Sequence, residues 1–297
     1  MAYGLWVIRE TLWSTLKGAN VRLVIVATCI SLVYLACNAT VWGEVCAALG
    51  SKKSRIKAGM IWIESESMRW LPGGVWGYTS RVVESQKLGL TKKIGTLSLT
   101  LELGFTVVAW GLIGLVGLVS SESLQFAMEN TLSKVPYLKI LCVLGIVGAG
   151  LIGGVGWLRN SFNVRLRYKS WKAKTQVHTM PQRRYLRCLA EYITLNLFYS
   201  VGFFLCLKGI HLPHTLTFSE VSGAYALSWI VGFFAFGAPG GMGVREGVLF
   251  LAFQPLNIGD EVVAGAILWR AIQILTELIL YGGVKFWRGI ERATLPN

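Results

Sequence analysis

Seven stretches of the 297-residue sequence are apolar over a length that would let a helix cross a hydrocarbon core, and two of them are interrupted by proline, glycine and charge. A core about 30 Å thick requires about 20 helical residues. The uninterrupted stretches run over 21–43, 95–119, 138–158, 188–208 and 262–286; the interrupted ones over 56–80 and 219–253. With 54% hydrophobic and only 15% charged residues, the chain lacks the polar surface that a soluble domain of this size needs. In lipid, backbone groups must be satisfied within each segment, which leaves helices or a closed barrel, and runs this long predict helices. The expected fold is therefore all-α, a polytopic transmembrane helix bundle, in which the 34 glycines serve close helix packing. The first 17 residues, with Arg9, Glu10 and Lys17 among Trp6 and Trp13, predict an amphipathic helix lying at the interface.

The net charge of +14 raises the question of nucleic acid, but its placement points to the membrane. Nine basic residues and no acidic one fall between Arg159 and Arg187, which predicts a cytoplasmic loop that also attracts anionic headgroups. The tail with Lys285, Arg288 and Arg292 belongs on the same side; the balanced loop at 120–137 and the acidic Asp260 and Glu261 belong outside. Counting crossings, 219–253 must enter and leave from outside, and 56–80, flanked by lysines and arginines, from inside. Both are thus expected to be re-entrant or broken helices. The chain is read as one integral domain over 1–297, with a first half 1–158, a basic cytoplasmic loop 159–187 and a second half 188–297, multi-pass in the plasma membrane. The six cysteines form no CxxC pair and are expected to be packing residues, as are Cys142, Gly150 and Gly154. No metal site and no cofactor is expected.

The interruptions carry the chemistry. Proline removes an amide donor and glycine permits a turn, so a helix broken there leaves backbone groups that only protein or a polar cavity can satisfy. A helix restarting after Gly241 or Gly243 aims free N–H groups and its positive dipole end at the break, a site suited to an anion. Arg245 adds a full charge, and Glu246 can pair with an arginine or take a cation or proton. "RWLPGGVWGYTSR" (69–81) and "FGAPGGMGVRE" (236–246) share Pro-Gly-Gly followed by an arginine, and each precedes a helix bearing a buried acid, Glu102 or Glu277. Opposite membrane polarity of these two segments suggests an inverted repeat, the plan of many secondary transporters. Arg270 and Glu277 stand two turns apart on one helical face. Intramembrane charges are costly and mark a pathway or a paired interior site; internal ion pairs that merely order the bundle, such as Arg270 with Glu246 or Glu102, are the structural alternative. Glu64 and Glu66 are read as shallow enough for hydration.

The series "RWLPGGVWGYTSRVVESQKLGL", "SLTLELGF", "APGGMGVREG" and "ILWRAIQIL" resembles, in that order, the lysylphosphatidylglycerol synthase transmembrane, or flippase-like, family over about residues 20–285. The resemblance implies a domain that moves lipids between leaflets, and it places Pro72, Gly73, Gly74, Arg81, Glu102, Pro239, Gly240, Gly241, Gly243, Glu246 and Arg270 on the family's recurring positions. The sequence carries no aminoacyl-transferring domain, so synthesis of lysyl lipid is not expected of it, and its amino end is shorter than in many relatives. The expected function is transport, without catalysis, of an anionic lipid, a phospholipid or a polyprenyl-phosphate-linked lipid. Arg245, Arg270 and Arg81 are its counter-charges, and Glu102, Glu246 and Glu277 are coupling or structural groups. Homo-oligomerisation is left open. The alternatives are a membrane-embedded transferase acting on a lipid phosphate and a non-catalytic scaffold for envelope-glycan assembly. Walker, HExxH and GxSxG motifs are missing, and His178, His211 and His214 fall in predicted loops.

Overall fold

A computed structural model describes residues 17–70, 75–134, 180–212, 216–235 and 238–294. Among these residues the elements are all helical: α1 (Val21–Ala48), α2 (Arg55–Glu66), α3 (Trp76–Glu84), α4 (Lys92–Ser120), α5 (Glu122–Lys134), α6 (Gln182–Gly209), α7 (Phe218–Phe234), α8 (Val244–Phe253) and α9 (Gly259–Thr294). Short 3-10 turns occupy Ser67–Trp70, Ser85–Leu88, Pro239–Gly241 and Gln254–Leu256. The fold is an all-α membrane bundle. Helices α1, α4, α6 and α9 are long and apolar enough to cross a membrane. They overrun the predicted stretches at one or both ends because backbone hydrogen bonding continues beyond the hydrocarbon edge into polar flanks. Arg183, Arg184 and Arg187, expected in the basic loop, accordingly lie in the first turns of α6. The expected span 138–158 with Cys142, Gly150 and Gly154, the interfacial segment 1–16, and Pro72, Gly73 and Gly74 lie outside the described residues.

Polar side chains set the helix starts. The Asn20, Ser54 and Thr91 side chains accept from the Arg22, Lys57 and Ile94 backbone N–H groups at the heads of α1, α2 and α4. Thr217 and Glu220 form a reciprocal capping box on α7. Contacts between helix ends fix their directions. The start of α1 meets the end of α6, where Asn20 N–H donates to the Gly209 carbonyl at 2.7 Å. The start of α9 lies there too, with Cys206 Sγ 3.7 Å from the Gly265 carbonyl. At the other end of the bundle, Lys57 lies 3.5 Å from Glu291, and Lys285 and Arg288 hold Glu64 at 3.1 and 2.9 Å. That end also carries Lys52, Lys53, Arg55, Lys87, Lys92 and Lys93 and is strongly basic.

Ser51 Oγ, between α1 and α2, donates to the Leu88 carbonyl after α3 at 3.2 Å, and the start of α7 meets the end of α4, where the Ser219 and Ser120 hydroxyls bond. Element order recurs as well. A long helix, two short helices with a 3-10 turn between them, a second 3-10 turn closing on a left-handed residue, and another long helix describe α1 to α4 and again α6 to α9. The left-handed residues are Gly89 (φ 77°) and Asn257 (φ 55°). Helix α7 lies directly on α4. A Cβ on Gly117 would overlap the Gly223 Cα, so the backbones touch as only glycines allow. Trp42, Trp110, Phe203 and Trp269 are among the large side chains that fill the core.

Candidate functional site at the meeting of two broken helices

The two interruptions meet inside the bundle. A Cβ on Gly240, whose φ of 58° suits glycine, would lie 2.9 Å from the Trp70 ring. Charged residues from both broken pairs and from α4 and α9 gather around this junction, in two groups.

The first group is a closed ladder. Arg81 of α3 is 1% exposed, and each of its three nitrogens donates a hydrogen bond. Nη1 donates to both Glu102 oxygens at 2.6 and 2.7 Å, Nη2 to Glu66 Oε2 at 2.7 Å, and Nε to Ser65 Oγ at 2.8 Å. Glu102 also accepts from Trp62 Nε1 at 2.6 Å, and the Trp62 ring lies 5.0 Å from the Arg81 guanidinium carbon. Glu66 turns its other oxygen to Arg69 Nη1 at 2.6 Å. Arg69 bonds onward to Glu277 of α9, which also accepts from Trp70 Nε1 at 2.6 Å. The result is an alternating row, Glu102, Arg81, Glu66, Arg69, Glu277, that crosses from the first half of the chain to the second. Ion pairs buried this deeply survive only when nearly every donor and acceptor is used.

The second group is open. Arg270 of α9 pairs through Nε with Glu246 and donates through Nη2 to the Gly240 and Gly241 carbonyls at 3.4 and 3.3 Å. Those carbonyls are freed by the break, so Arg270 satisfies what the turn exposes. Glu246 caps the restarting helix, accepting from Gly243 N–H at 2.7 Å. Arg270 Nη1 is buried and unbonded. Arg245 differs from the other arginines around the junction in making no ion pair among the described residues. Its buried Nε, like that of Arg69, bonds to nothing. Its guanidinium carbon lies 5.4 Å from the centre of the Trp229 ring, and its stem lies against Gly232, where a Cβ would come within 2.5 Å of Arg245 Cγ. A narrow pocket lined by Tyr225, Ser228, Arg245, Trp269, Arg270 and Gln273 opens beside it, with room for about one water.

Of the residues singled out in the sequence, Arg81 and Glu102 thus lie in the first group, Arg245, Glu246, Arg270, Gly240, Gly241 and Gly243 in the second, and Glu277 at the junction. Pro239 lies in the turn Pro239–Gly241. Glu66, read as hydrated, instead bridges Arg69 and Arg81, because α3 folds back on α2 and brings the guanidinium to it. Glu64 goes to Lys285 and Arg288. Sequence reasoning missed Arg69, Trp70, Trp62 and Trp229 as partners. Position three residues before the Pro-Gly-Gly turn was a signal available for Arg69; nothing in the sequence marked the tryptophans.

A family model described as the transmembrane region of lysylphosphatidylglycerol synthase matches residues 2–280, nearly the whole chain. Comparison with curated proteins gave no match.

Proposed function

The chain belongs to the lysylphosphatidylglycerol synthase transmembrane family, membrane proteins that act on lipids, and on that premise we propose a flippase-like transporter that moves an anionic lipid between leaflets without chemical change. The observation that carries this reading is Arg245. A cation held inside a membrane bundle with no carboxylate and no hydrogen bond is costly, by about 2.5–3.5 kcal/mol on insertion scales, and an arriving anion relieves that cost. Arginine suits phosphate because its forked donors match the oxygens.

In this reading the basic end faces the cytoplasm. The α2–α3 pair then dips into the membrane from inside and the α7–α8 pair from outside, and the two halves are inverted repeats in the plasma membrane. The lipid phosphate sits between the breaks on Arg245 and the free Nη1 of Arg270, while its tail stays in the bilayer. The turn at Pro239, Gly240 and Gly241, with Gly243 after it, makes room for it, and Pro72, Gly73 and Gly74 are proposed as its counterpart in the first half. Arg81, saturated by Glu66 and Glu102, anchors α3 rather than touching substrate. The pocket holds only about one water, so the conformation described is a closed one. Admitting a phosphate requires the tips at Trp70 and Gly240 to separate, as alternating access demands. Phospholipids and polyprenyl phosphates both present the required phosphate.

Proteoliposomes carrying a labelled anionic phospholipid or a labelled polyprenyl phosphate test this. Transbilayer movement of at least one of them is expected to exceed that in empty vesicles and to fall at least tenfold in Arg245→Gln. Equal rates with and without protein, together with full function of Arg245→Gln in cells, would refute it.

A further inference from the structure

We infer that one proton travels with each anionic headgroup and is held on the carboxylate ladder; this rests on the transport reading above. Charge balance leads there. The ladder holds three carboxylates, Glu66, Glu102 and Glu277, against two guanidiniums, Arg69 and Arg81, so fully ionised it carries one negative charge in excess. Arg270 and Glu246 cancel each other. Among the described residues, Arg245 is the cation left to balance the ladder. An anion seated on Arg245 consumes that balance and leaves a net negative charge in a medium that solvates it poorly. One proton on the ladder restores neutrality.

Partner counts say where it goes. Glu66 lies between two arginines, and Glu102 takes both contacts of Arg81 Nη1 and an indole N–H. Glu277, like Glu102, has one arginine and one indole, but it takes a single contact from its arginine where Glu102 takes two, and so has the weakest cationic support of the three. Among the described residues, the other titratable groups facing the ladder are Tyr34 and Cys46 of α1, Tyr78 of α3, and Tyr192 and Tyr199 of α6, with Arg245 as the further cation. Protonated Glu277 loses its ionic hold on Arg69, which ties the turn at Trp70 to α9, so proton uptake also loosens that side of the junction.

A route reaches it. Thr276, next to Glu277, bonds Ser31 of α1 at 2.9 Å. From Ser31 toward the basic end, the α1–α6 contact carries Tyr34, Asn38 and Asn196, linked at 3.1 and 3.4 Å. On that line Asn38 Oδ1 and Asn196 Nδ2 are buried without partners. Orphaned buried polar atoms call for water, and water taken up there would extend the path for a proton.

The test uses wild-type proteoliposomes with a lumenal pH dye and a singly charged labelled phosphatidylglycerol. Inward lipid movement is expected to acidify the lumen by about one proton per lipid and to respond to a pH gradient but not to a potassium–valinomycin potential. In Glu277→Gln the ratio of protons to lipids moved is expected to fall toward zero. Lipid movement without acidification, at a rate set by the potential, would overturn the proton inference and leave the transport reading standing; no movement of any anionic lipid would sink both. A second measurement needs no variant. Saturating the detergent-solubilised wild type with short-chain phosphatidylglycerol is expected to take up about one proton per bound lipid, and no uptake overturns the inference.

Discussion

Replacing Arg245 with methionine is expected to make the lipid-free protein more stable while removing its ability to hold an anion. Among the described residues the guanidinium has no carboxylate or hydrogen-bond partner, and it lies 5.4 Å from the Trp229 ring. An unpaired arginine in a membrane interior costs about 2.5–3.5 kcal/mol, and an indole contact returns about 0.5–2 kcal/mol. Removing both therefore favours the fold by about 0.5–3 kcal/mol. Methionine fills the same volume against Gly232 without the charge. The assay is thermal unfolding in a neutral detergent, with and without short-chain phosphatidylglycerol. Saturating ligand at a hundred times Kd stabilises a native state by about 2.7 kcal/mol. Wild type is thus expected to melt below Arg245→Met without lipid and to rise when lipid is added, whereas the variant does not move. An Arg245→Met protein that melts well below wild type without lipid would show that Arg245 has a partner essential to the fold, and the reasoning would fail.

Three further outcomes follow from the same geometry. Arg81→Gln strands Glu66 and Glu102 as buried anions and is expected to cost about 3–5 kcal/mol, with thermal stability partly restored by adding Glu102→Gln; no rescue would mean that the ion pair is not what matters there. Gly117→Val drives a side chain into the Gly223 backbone, which leaves no room even for its Cβ, and is expected to lower the melting temperature far more than the same change at Gly283, which has open space. Cysteines placed at Lys53 and Glu261 are expected to react with a membrane-impermeant maleimide from the cytoplasmic and the outer side respectively, and labelling of both from one side would contradict the proposed inversion.

Much of the fold was legible because a bilayer imposes length and polarity on a sequence more strictly than water does. Stretches 21–43, 95–119, 188–208 and 262–286 each correspond to a long helix, and the pairing of Glu246 with Arg270 was among the anticipated alternatives. The turn at Pro239–Gly241 was legible too, since Pro-Gly-Gly inside an apolar run has few other uses. The ladder was not. Glu66 reads as a shallow acid until α3 folds back on α2 and sets Arg81 against it, and that hairpin depends on backbone geometry rather than residue type. Arg69 and Glu277 stand 208 residues apart in sequence, and no local pattern joins them. The isolation of Arg245 was equally invisible. An arginine followed directly by a glutamate invites pairing, yet α8 sends Glu246 to Arg270 and Arg245 to Trp229.

The most direct test of the central claim is an experimental density map of the protein in nanodiscs containing an anionic phospholipid. Phosphate density within hydrogen-bonding distance of Arg245, and of Arg270 Nη1, between the turns at Trp70 and Gly240, is the expected result. An Arg245 paired with a carboxylate or directed at acyl chains, with headgroup density confined to the two membrane surfaces, would contradict it.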